Sequence, residues 1–215
     1  MNKPFDLSDS YWNSLSDRAR ELYGIVRPLP KAAYSVDTQL GYIEKFIESQ
    51  TRDMEAMGGS FELDPDYQRG HVWSDAQRSS YVEALLRESA PRTILFNCPG
   101  WSRSDGAAGD IPSHTFQCID GLQRLTAVRK FMAGDLAIFG SMKVSELEGT
   151  PFDAKRYRLT FAVYEFIRRE DLLNFYVDLN GGGTVHSQEE LDRVRTMRDQ
   201  ARLNSIVAPK RGRSK

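Results

Sequence analysis

At residues 118–128 the chain reads Cys118-Ile119-Asp120-Gly121-Leu122-Gln123-Arg124-Leu125-Thr126-Ala127-Val128. The apolar and β-prone residues before the Asp-Gly pair predict a strand over residues 114–119 that ends at a tight turn. After the turn, apolar side chains recur at helical spacing as far as Gly134, so a helix is expected there. The stretch should therefore fold as a strand, a turn and a helix.

The polar residues of this turn suit a phosphate group. The N-terminus of a helix presents free N–H groups and the positive end of the helix dipole, and Gly121 lets a ligand approach the backbone. Arg124, in the first helical turn, adds a planar set of hydrogen-bond donors. A plainer interpretation stays open, in which Asp120 caps the helix, Gly121 serves only the turn, and Arg124 pairs with a nearby acid.

Length and composition exclude several classes of protein. The chain has 215 residues, enough to bury a substantial core, and its net charge of -1 gives no general attraction to nucleic acid. Its two cysteines form neither a disulfide framework nor a metal-binding pattern, which favours a reducing compartment. Because there is no apolar run of about 20 residues and no signal peptide, a soluble, cytoplasmic protein is expected.

Three segments are predicted along the chain. Residues 1–34 are expected to form an N-terminal arm, residues 35–200 an α/β domain, and residues 201–215 a basic, disordered tail. The tail contains four basic residues that would add sequence-independent affinity for nucleic acid: Lys210, Arg211, Arg213 and Lys215.

Within the domain, hydrophobic periodicity predicts both helices and strands. Ser35 is expected to cap a helix whose apolar stripe includes Leu40 and Ile43 and which ends near Gly58. Further strands are predicted at residues 60–63, 92–98, 136–139 and 157–166, and further helices at residues 74–87, 170–179 and 187–202. These elements predict an α/β (α+β) fold with a small mixed sheet flanked by helices.

Two further loops have residues that suit ligand recognition. In the loop at residues 67–73, Arg69 lies between Tyr67 and Trp73, and an arginine fixed among aromatic side chains is a common anion-binding device. Alternatively, the two aromatic residues fill the edge of the core while Arg69 pairs with an acid. The glycine-rich loop at residues 180–183 either presents N–H groups to an anion or links two helices.

Taken in order, these pieces resemble one family. Residues 67–69 with Trp73, residues 119–126, and residues 180–182 with Ser187 and Glu190 resemble the N-terminal domain of GmrSD-type restriction enzymes, within the ParB and sulfiredoxin superfamily. The resemblance covers about residues 36–200, and its specificity lies in the ordered set of motifs. It implies a ParB/sulfiredoxin-like fold.

The resemblance also implies that the turn binds a nucleoside triphosphate, whose hydrolysis licenses attack on modified foreign DNA. It assigns nucleotide binding to Arg69, Gly121, Gln123, Arg124, Asn180 and Gly181, catalysis to Asp120, Gln123 and Arg124, and Mg²⁺ coordination to Asp120. The family's Asp-Gly-Gln-Gln-Arg turn differs here at one position, since Leu122 replaces the first glutamine. That difference removes an amide expected near the phosphates. It is compatible with nucleotide binding and weakens the expectation of NTP hydrolysis.

Related families imply other functions, and the sequence argues against some of them. Sulfiredoxin chemistry needs a cysteine in the phosphate turn, and none lies between Asp120 and Arg124. A ParB-type helix-turn-helix and the HNH-type nuclease domain of GmrSD enzymes are expected to be missing, because the chain ends soon after the last predicted helix. The expected function is slow, Mg²⁺-dependent NTP hydrolysis coupled to DNA or to a partner such as a separate nuclease or effector. The alternatives are a non-catalytic nucleotide- or DNA-binding regulatory module and, third, a ParB-like DNA nuclease.

Overall fold

The computed structural model describes residue 3 and residues 7–68, 70, 72–102, 109–180 and 188–207, and the chain divides into two compact units. The first unit, Met1–Ala32, contains helices α1 (Asp9–Ser14) and α2 (Asp17–Val26). A serine precedes each helix and accepts a hydrogen bond from a backbone N–H of its first turn. The second unit, Ala33–Lys215, contains the sheet and the remaining helices.

The described part of the second unit contains five strands: β1 (Tyr34–Gln39), β2 (Ser60–Glu62), β3 (Thr93–Asn97), β4 (Thr115–Asp120) and β5 (Arg158–Tyr164). They form one sheet in the order β1-β5-β3-β4-β2. The pairs β1–β5 and β3–β4 are antiparallel, whereas β3–β5 and β2–β4 are parallel. The predicted mixed sheet is therefore confirmed.

The α-helices described in this unit are α3 (Ile43–Ala56), α4 (Asp75–Leu86), α5 (Leu122–Met132), α6 (Arg169–Asn180) and α7 (Gln188–Val207). Short 3₁₀ helices lie at Leu40–Tyr42, Val144–Leu147 and Ala154–Arg156. Helix α4 begins with a capping box between Ser74 and Gln77. Within the described ranges, no helix combines the length and the apolarity that crossing a membrane requires.

The segment at Ser35 is a strand, so the prediction of a helix that begins there is wrong. Ser35 lies in β1 opposite Ala162 of β5, and helix α3 begins at Ile43. Val36 packs against the core from this strand, and β5 supplies the backbone hydrogen bonds. Because β5 is distant in the sequence, nothing near Ser35 indicates that a strand pairs there. The apolar stripe that starts at Leu40, in contrast, is a local signal for a helix.

Two smaller predictions also differ from the structure. The strand predicted at residues 136–139 is reduced to an isolated bridge between Ile138 and Met142. Helix α7 continues to Val207, past the predicted start of the disordered tail at residue 201. Ala201, at that boundary, is helical and 6 % exposed. The helical segment therefore extends beyond the boundary expected from composition.

Helices pack on both faces of the sheet, and β4 is buried between them. Phe116 and Cys118 belong to a core cluster shared with α3, α4 and α5, whereas Ile119 belongs to a second cluster with residues of α6 and α7. Successive side chains of a strand lie on opposite faces, so this division follows from strand geometry. The end of β4 consequently lies between two helical layers, and residues of both layers can reach it.

Candidate functional site

The turn after β4 has the predicted strand-turn-helix geometry. The strand ends at Asp120, and Gly121 is the N-cap residue of α5. The first helical hydrogen bond runs from the Leu125 N–H to the Gly121 carbonyl at 2.9 Å, so the N–H groups of residues 122–124 have no acceptor within the helix. Asp120 does not occupy the N-cap position, and the capping role of the plainer interpretation is therefore wrong.

Gly121 is required by its surroundings as well as by its backbone angle. A Cβ atom at this position would lie 2.7 Å from Ile94 Cδ1 and 3.2 Å from Ile94 Cα in β3. Its φ of +99° is also a conformation that residues with a Cβ atom rarely adopt. Glycine therefore lets the turn pack directly on β3.

Asp120 and Arg124 form an ion pair across one turn of α5. Arg124 Nη2 donates to Asp120 Oδ2, and the two side chains are 19 % and 32 % exposed, respectively. The pairing of Arg124 with a nearby acid is thus confirmed. Arg124 Nε is buried and has no hydrogen-bond partner among the residues that the structure describes. A buried donor without an acceptor is unfavourable, and an anion bound beside it would satisfy it.

The side-chain amide of Gln123 joins the turn to the loop at residues 67–73. Gln123 Nε2 donates to the Gly70 carbonyl, and Gln123 Oε1 accepts a hydrogen bond from the Trp73 N–H at 3.2 Å. Both ends of the amide are engaged, so Gln123 positions the loop in this structure. Each end of the amide keeps a second hydrogen-bonding position. The contact with a nucleotide that the sequence predicts for Gln123 stays a prediction.

The first half of the same loop is bound to β4 and to α7. The Tyr67 hydroxyl donates to the Cys118 carbonyl at 3.1 Å, and Gln68 Nε2 donates to the same carbonyl at 2.7 Å. Arg193 of α7 donates to the carbonyls of Asp66, Tyr67 and Gln68. In the sequence, nothing distinguishes Arg193 from the other arginines of a polar helix.

Tyr67 and Trp73 fill the edge of the core, which confirms that interpretation of the two aromatic residues. Tyr67 is fully buried and packs edge to face on Tyr176, with ring centroids 5.5 Å apart, and the Trp73 ring lies 5.6 Å from that of Tyr81. Burial raises the pKa of Tyr67 well above its ordinary value, so its hydroxyl remains a donor. These contacts make the loop part of the packed structure.

Leu122 is a core residue. Its side chain is 2 % exposed and lies in the same cluster as Leu125 and Val128. The structure therefore places position 122 in the core. The expectation that leucine at this position removes an amide beside the phosphates stays a prediction.

Several predicted site residues lie outside the described residues. They are Arg69, Gly181 and the basic tail residues Lys210, Arg211, Arg213 and Lys215. Their roles stay predictions, and so does the convergence of Arg69 and Arg124 on one anion.

Asn180 is described, and it ends helix α6. Its side chain is buried, and Asn180 Nδ2 donates to the Tyr176 carbonyl at 2.8 Å. Tyr176 in turn packs on Tyr67. Asn180 is therefore connected to the loop through one aromatic residue, and its contact with a nucleotide stays a prediction.

Asp64 is a second carboxylate beside the loop, which sequence analysis did not identify. Its Oδ2 would lie 3.4 Å from a Cβ atom on Gly70. The described ranges contain no group of three or more His, Cys, Asp or Glu side chains that could hold a metal. Mg²⁺ usually takes one or two protein carboxylates and completes its shell with water and phosphate oxygens. The coordination of Mg²⁺ by Asp120 stays a prediction.

A groove of about 620 Å³ lies along another part of α5. Its lining includes Leu40, Glu44, Arg129 and Lys130, and residues 118–124 do not contribute to it. Arg129 binds Glu44 across this groove through two hydrogen bonds of 2.5 and 2.9 Å. The groove is thus separate from the turn.

A family model described as "GmrSD restriction endonuclease, N-terminal domain" matches residues 43–205. The match begins with α3, includes the loop, the turn and nearly all of α7, and leaves β1 outside. The resemblance to this family is thereby confirmed, and its placement in the ParB and sulfiredoxin superfamily stays a prediction. Comparisons with curated proteins and with solved structures gave no match.

Proposed function

We propose, from the premise that the chain belongs to the family of GmrSD restriction endonuclease N-terminal domains, that the turn at residues 120–124 binds a nucleoside triphosphate. One observation carries the proposal. Arg124 stands in the first turn of a helix whose N-terminus no side chain caps, and its buried Nε lacks an acceptor in the described part of the chain. Phosphate oxygens accept hydrogen bonds, and they carry the negative charge that a helix N-terminus and an arginine favour.

Each residue of the turn has a role in the proposed complex. The backbone at Gly121 and the N–H groups that follow it bind phosphate oxygens, and Arg124 neutralises their charge together with Arg69. Asn180 and Gly181 contribute further nucleotide contacts. Asp120 holds Mg²⁺ or orients the attacking water, and the ion would neutralise charge on the terminal phosphates.

The proposed reaction is slow NTP hydrolysis. Water attacks the γ-phosphorus, the bond from that phosphorus to the β–γ bridging oxygen breaks, and the proton from water passes to solvent as NDP and phosphate leave. The ion pair between Asp120 and Arg124 links nucleotide binding to hydrolysis. A phosphate that draws Arg124 away also releases the Asp120 carboxylate. The release of Asp120 then depends on bound nucleotide.

The family description supports a role in restriction of foreign DNA. In that role, hydrolysis at the turn is coupled to DNA or to a separate nuclease or effector protein. The basic residues at positions 210–215 would add affinity for the DNA backbone.

A second candidate is a regulatory module that binds a nucleotide without turning it over. Two contacts favour it: the Gln123 amide is engaged at both ends, and the Asp120 carboxylate is paired with Arg124. Both side chains then serve contacts within the protein, as expected of a module that does not turn the nucleotide over.

Phosphate release separates these candidates. Purified full-length chain is incubated with each NTP and Mg²⁺, with and without DNA. We expect turnover to fall about 10²–10³-fold in Asp120→Ala and Arg124→Ala. Arg124→Ala removes a positive charge beside the phosphates, and Asp120→Ala removes the carboxylate that would hold Mg²⁺ or orient the water. Arg129→Ala is the matched control, since Arg129 lies in the same helix and is also ion-paired, with Glu44 at 2.5 Å.

The other outcomes are equally distinct. Tight binding without turnover supports the regulatory module. Plasmid nicking that is lost in Asp120→Ala supports direct DNA cleavage, the third alternative. A wild-type chain that neither binds nor hydrolyses any NTP overturns the proposal.

A further inference from the structure

We propose that Arg193 is a positioning residue of the nucleotide site, through which helix α7 holds the loop at residues 66–70 in the place that nucleotide binding needs. This inference rests on the proposed function. It assigns to α7 a part in the site that neither the turn motif nor the family match implies.

Within the described part of the chain, Arg193 donates its hydrogen bonds to backbone carbonyls of this loop. Arg193 Nη1 donates to the Asp66 carbonyl at 2.9 Å, and Nη2 donates to the carbonyls of Tyr67 at 3.1 Å and Gln68 at 2.9 Å. One planar guanidinium thus binds three consecutive carbonyl groups. Because its donors are rigidly arranged, it fixes the direction of the backbone more strictly than a single hydrogen bond can.

The loop is fixed on its other side by the turn. Gln68 Nε2 donates to the carbonyl of Cys118, two residues before Asp120, and the Gly70 carbonyl accepts from Gln123. Arg69 lies between these two anchored residues in the sequence. Residues 66–68 are therefore held by α7, Gln68 also by the end of β4, and Gly70 by the first turn of α5.

A second arginine strengthens the same link. Arg169, at the start of α6, binds both carboxylate oxygens of Asp66 at 2.7 Å, while Arg193 binds the Asp66 carbonyl. Asp66 is therefore held by both helices of the layer that packs behind β4. A loop attached in this way transmits the position of α6 and α7 to the turn, and binding at the turn must act back on those helices equally.

The test compares Arg193→Ala and Arg193→Lys with Arg195→Ala. Arg195 is the matched control, because it lies two residues later in α7 and binds Asp192 of its own helix at 2.7 Å. Two quantities are measured on the full-length chain: the Kd for a fluorescent NTP analogue with Mg²⁺, and backbone amide exchange over residues 66–70 without nucleotide. Thermal unfolding checks that each variant is folded.

We expect Arg193→Ala to weaken nucleotide binding about tenfold, the size of one charge-assisted hydrogen bond, and to speed amide exchange in the loop. Arg193→Lys, which keeps the charge and lacks the fork, should lie between the alanine variant and wild type. Arg195→Ala should match wild type in both measurements. Should the alanine variant not fold, the lysine variant carries the same comparison.

Wild-type affinity in both Arg193 variants overturns the inference, whether or not loop exchange changes. If the wild-type chain binds no NTP, the proposed function fails and the nucleotide part of this inference fails with it. Amide exchange then still decides whether Arg193 orders the loop, so the two failures are distinguishable.

Discussion

The side-chain oxygen of Gln123 accepts a hydrogen bond from the backbone N–H of Trp73 at 3.2 Å, so the first turn of α5 holds a loop that precedes it by 50 residues. The nitrogen of the same amide donates to the Gly70 carbonyl. The two bonds require a donor and an acceptor on one side chain of this length. The glutamine of the turn motif therefore serves the architecture of the site as well as any chemistry.

Replacing Gln123 by alanine should loosen the loop. We expect Gln123→Ala to lower the free energy of unfolding by about 1–3 kcal/mol, because the Gly70 carbonyl and the Trp73 N–H lose their partners. Denaturant unfolding measures this change, and amide exchange should show faster exchange at Trp73. Gln200→Ala is the control, since Gln200 is exposed on α7 and bonds to Asn204. Unchanged exchange at Trp73 would contradict the anchoring role.

Alanine at Gly121 should cost more than alanine at Gly134. Both glycines have positive φ, +99° and +81°, but a Cβ atom at Gly134 meets nothing within 4 Å. Both variants lose about 1–2 kcal/mol to backbone strain, and Gly121→Ala loses about 1–3 kcal/mol more through its clash with Ile94. Comparison of the two unfolding free energies isolates the clash.

The Ile94 side chain supplies a second check on the same clash. Ile94→Val removes the Cδ1 atom that would lie 2.7 Å from the new methyl group. The double variant with Gly121→Ala should therefore be more stable than the sum of the single effects predicts. Strict additivity would show that the turn does not depend on its packing against β3.

Restoring the glutamine of the family motif at position 122 should destabilise the protein. Leu122 is 2 % exposed, so Leu122→Gln buries an amide among apolar side chains and should cost about 1–3 kcal/mol. Leu203→Gln is the control, because Leu203 is 56 % exposed. We expect no gain in phosphate release, since position 122 lies in the core. Faster release with undiminished stability would place residue 122 at the phosphates.

Alkaline pH should destabilise the protein through Cys118. Burial raises the pKa of its thiol from 9.0 to about 12 in the folded state, with Asp120 and Asp64 adding to the effect. The folded protein keeps a proton that the unfolded chain loses, so stability is complete below pH 9.0 and falls as pH rises towards 12. The free energy of unfolding is measured with denaturant at several alkaline pH values. It should fall less steeply with pH in Cys118→Ala than in wild type, by about 1.4 kcal/mol per pH unit.

Cys98 extends this test. Burial raises its pKa to about 12 as well, so Cys98→Ala should reduce the slope in the same direction. The double variant should then have the least alkaline sensitivity of the four proteins. Identical slopes in wild type and in both single variants would show that neither thiol is shielded from water.

Local features of the sequence were sufficient for most of the elements. The Asp-Gly pair at residues 120–121 and the apolar period after it predicted the strand, turn and helix at their observed places. The start of α4 was equally predictable, because Ser74 and Gln77 cap the helix with hydrogen bonds that span only three residues. Signals of this kind can be read from the sequence alone, because the residues that interact are near neighbours in the chain.

Tertiary structure alone decided which distant segments pair, which side chains lie in the core and which contact the loop beside the turn. Ser35 lies in a strand because β5 pairs with it, Leu122 faces the core, and Arg193 reaches the backbone of a loop far away in the sequence. Each of these facts depends on a partner that only folding brings near, so neither periodicity nor a motif contains it. The sequence by itself determined the strand, the turn, the helix and the family to which they belong, and the packing of distant segments determined what surrounds Arg124.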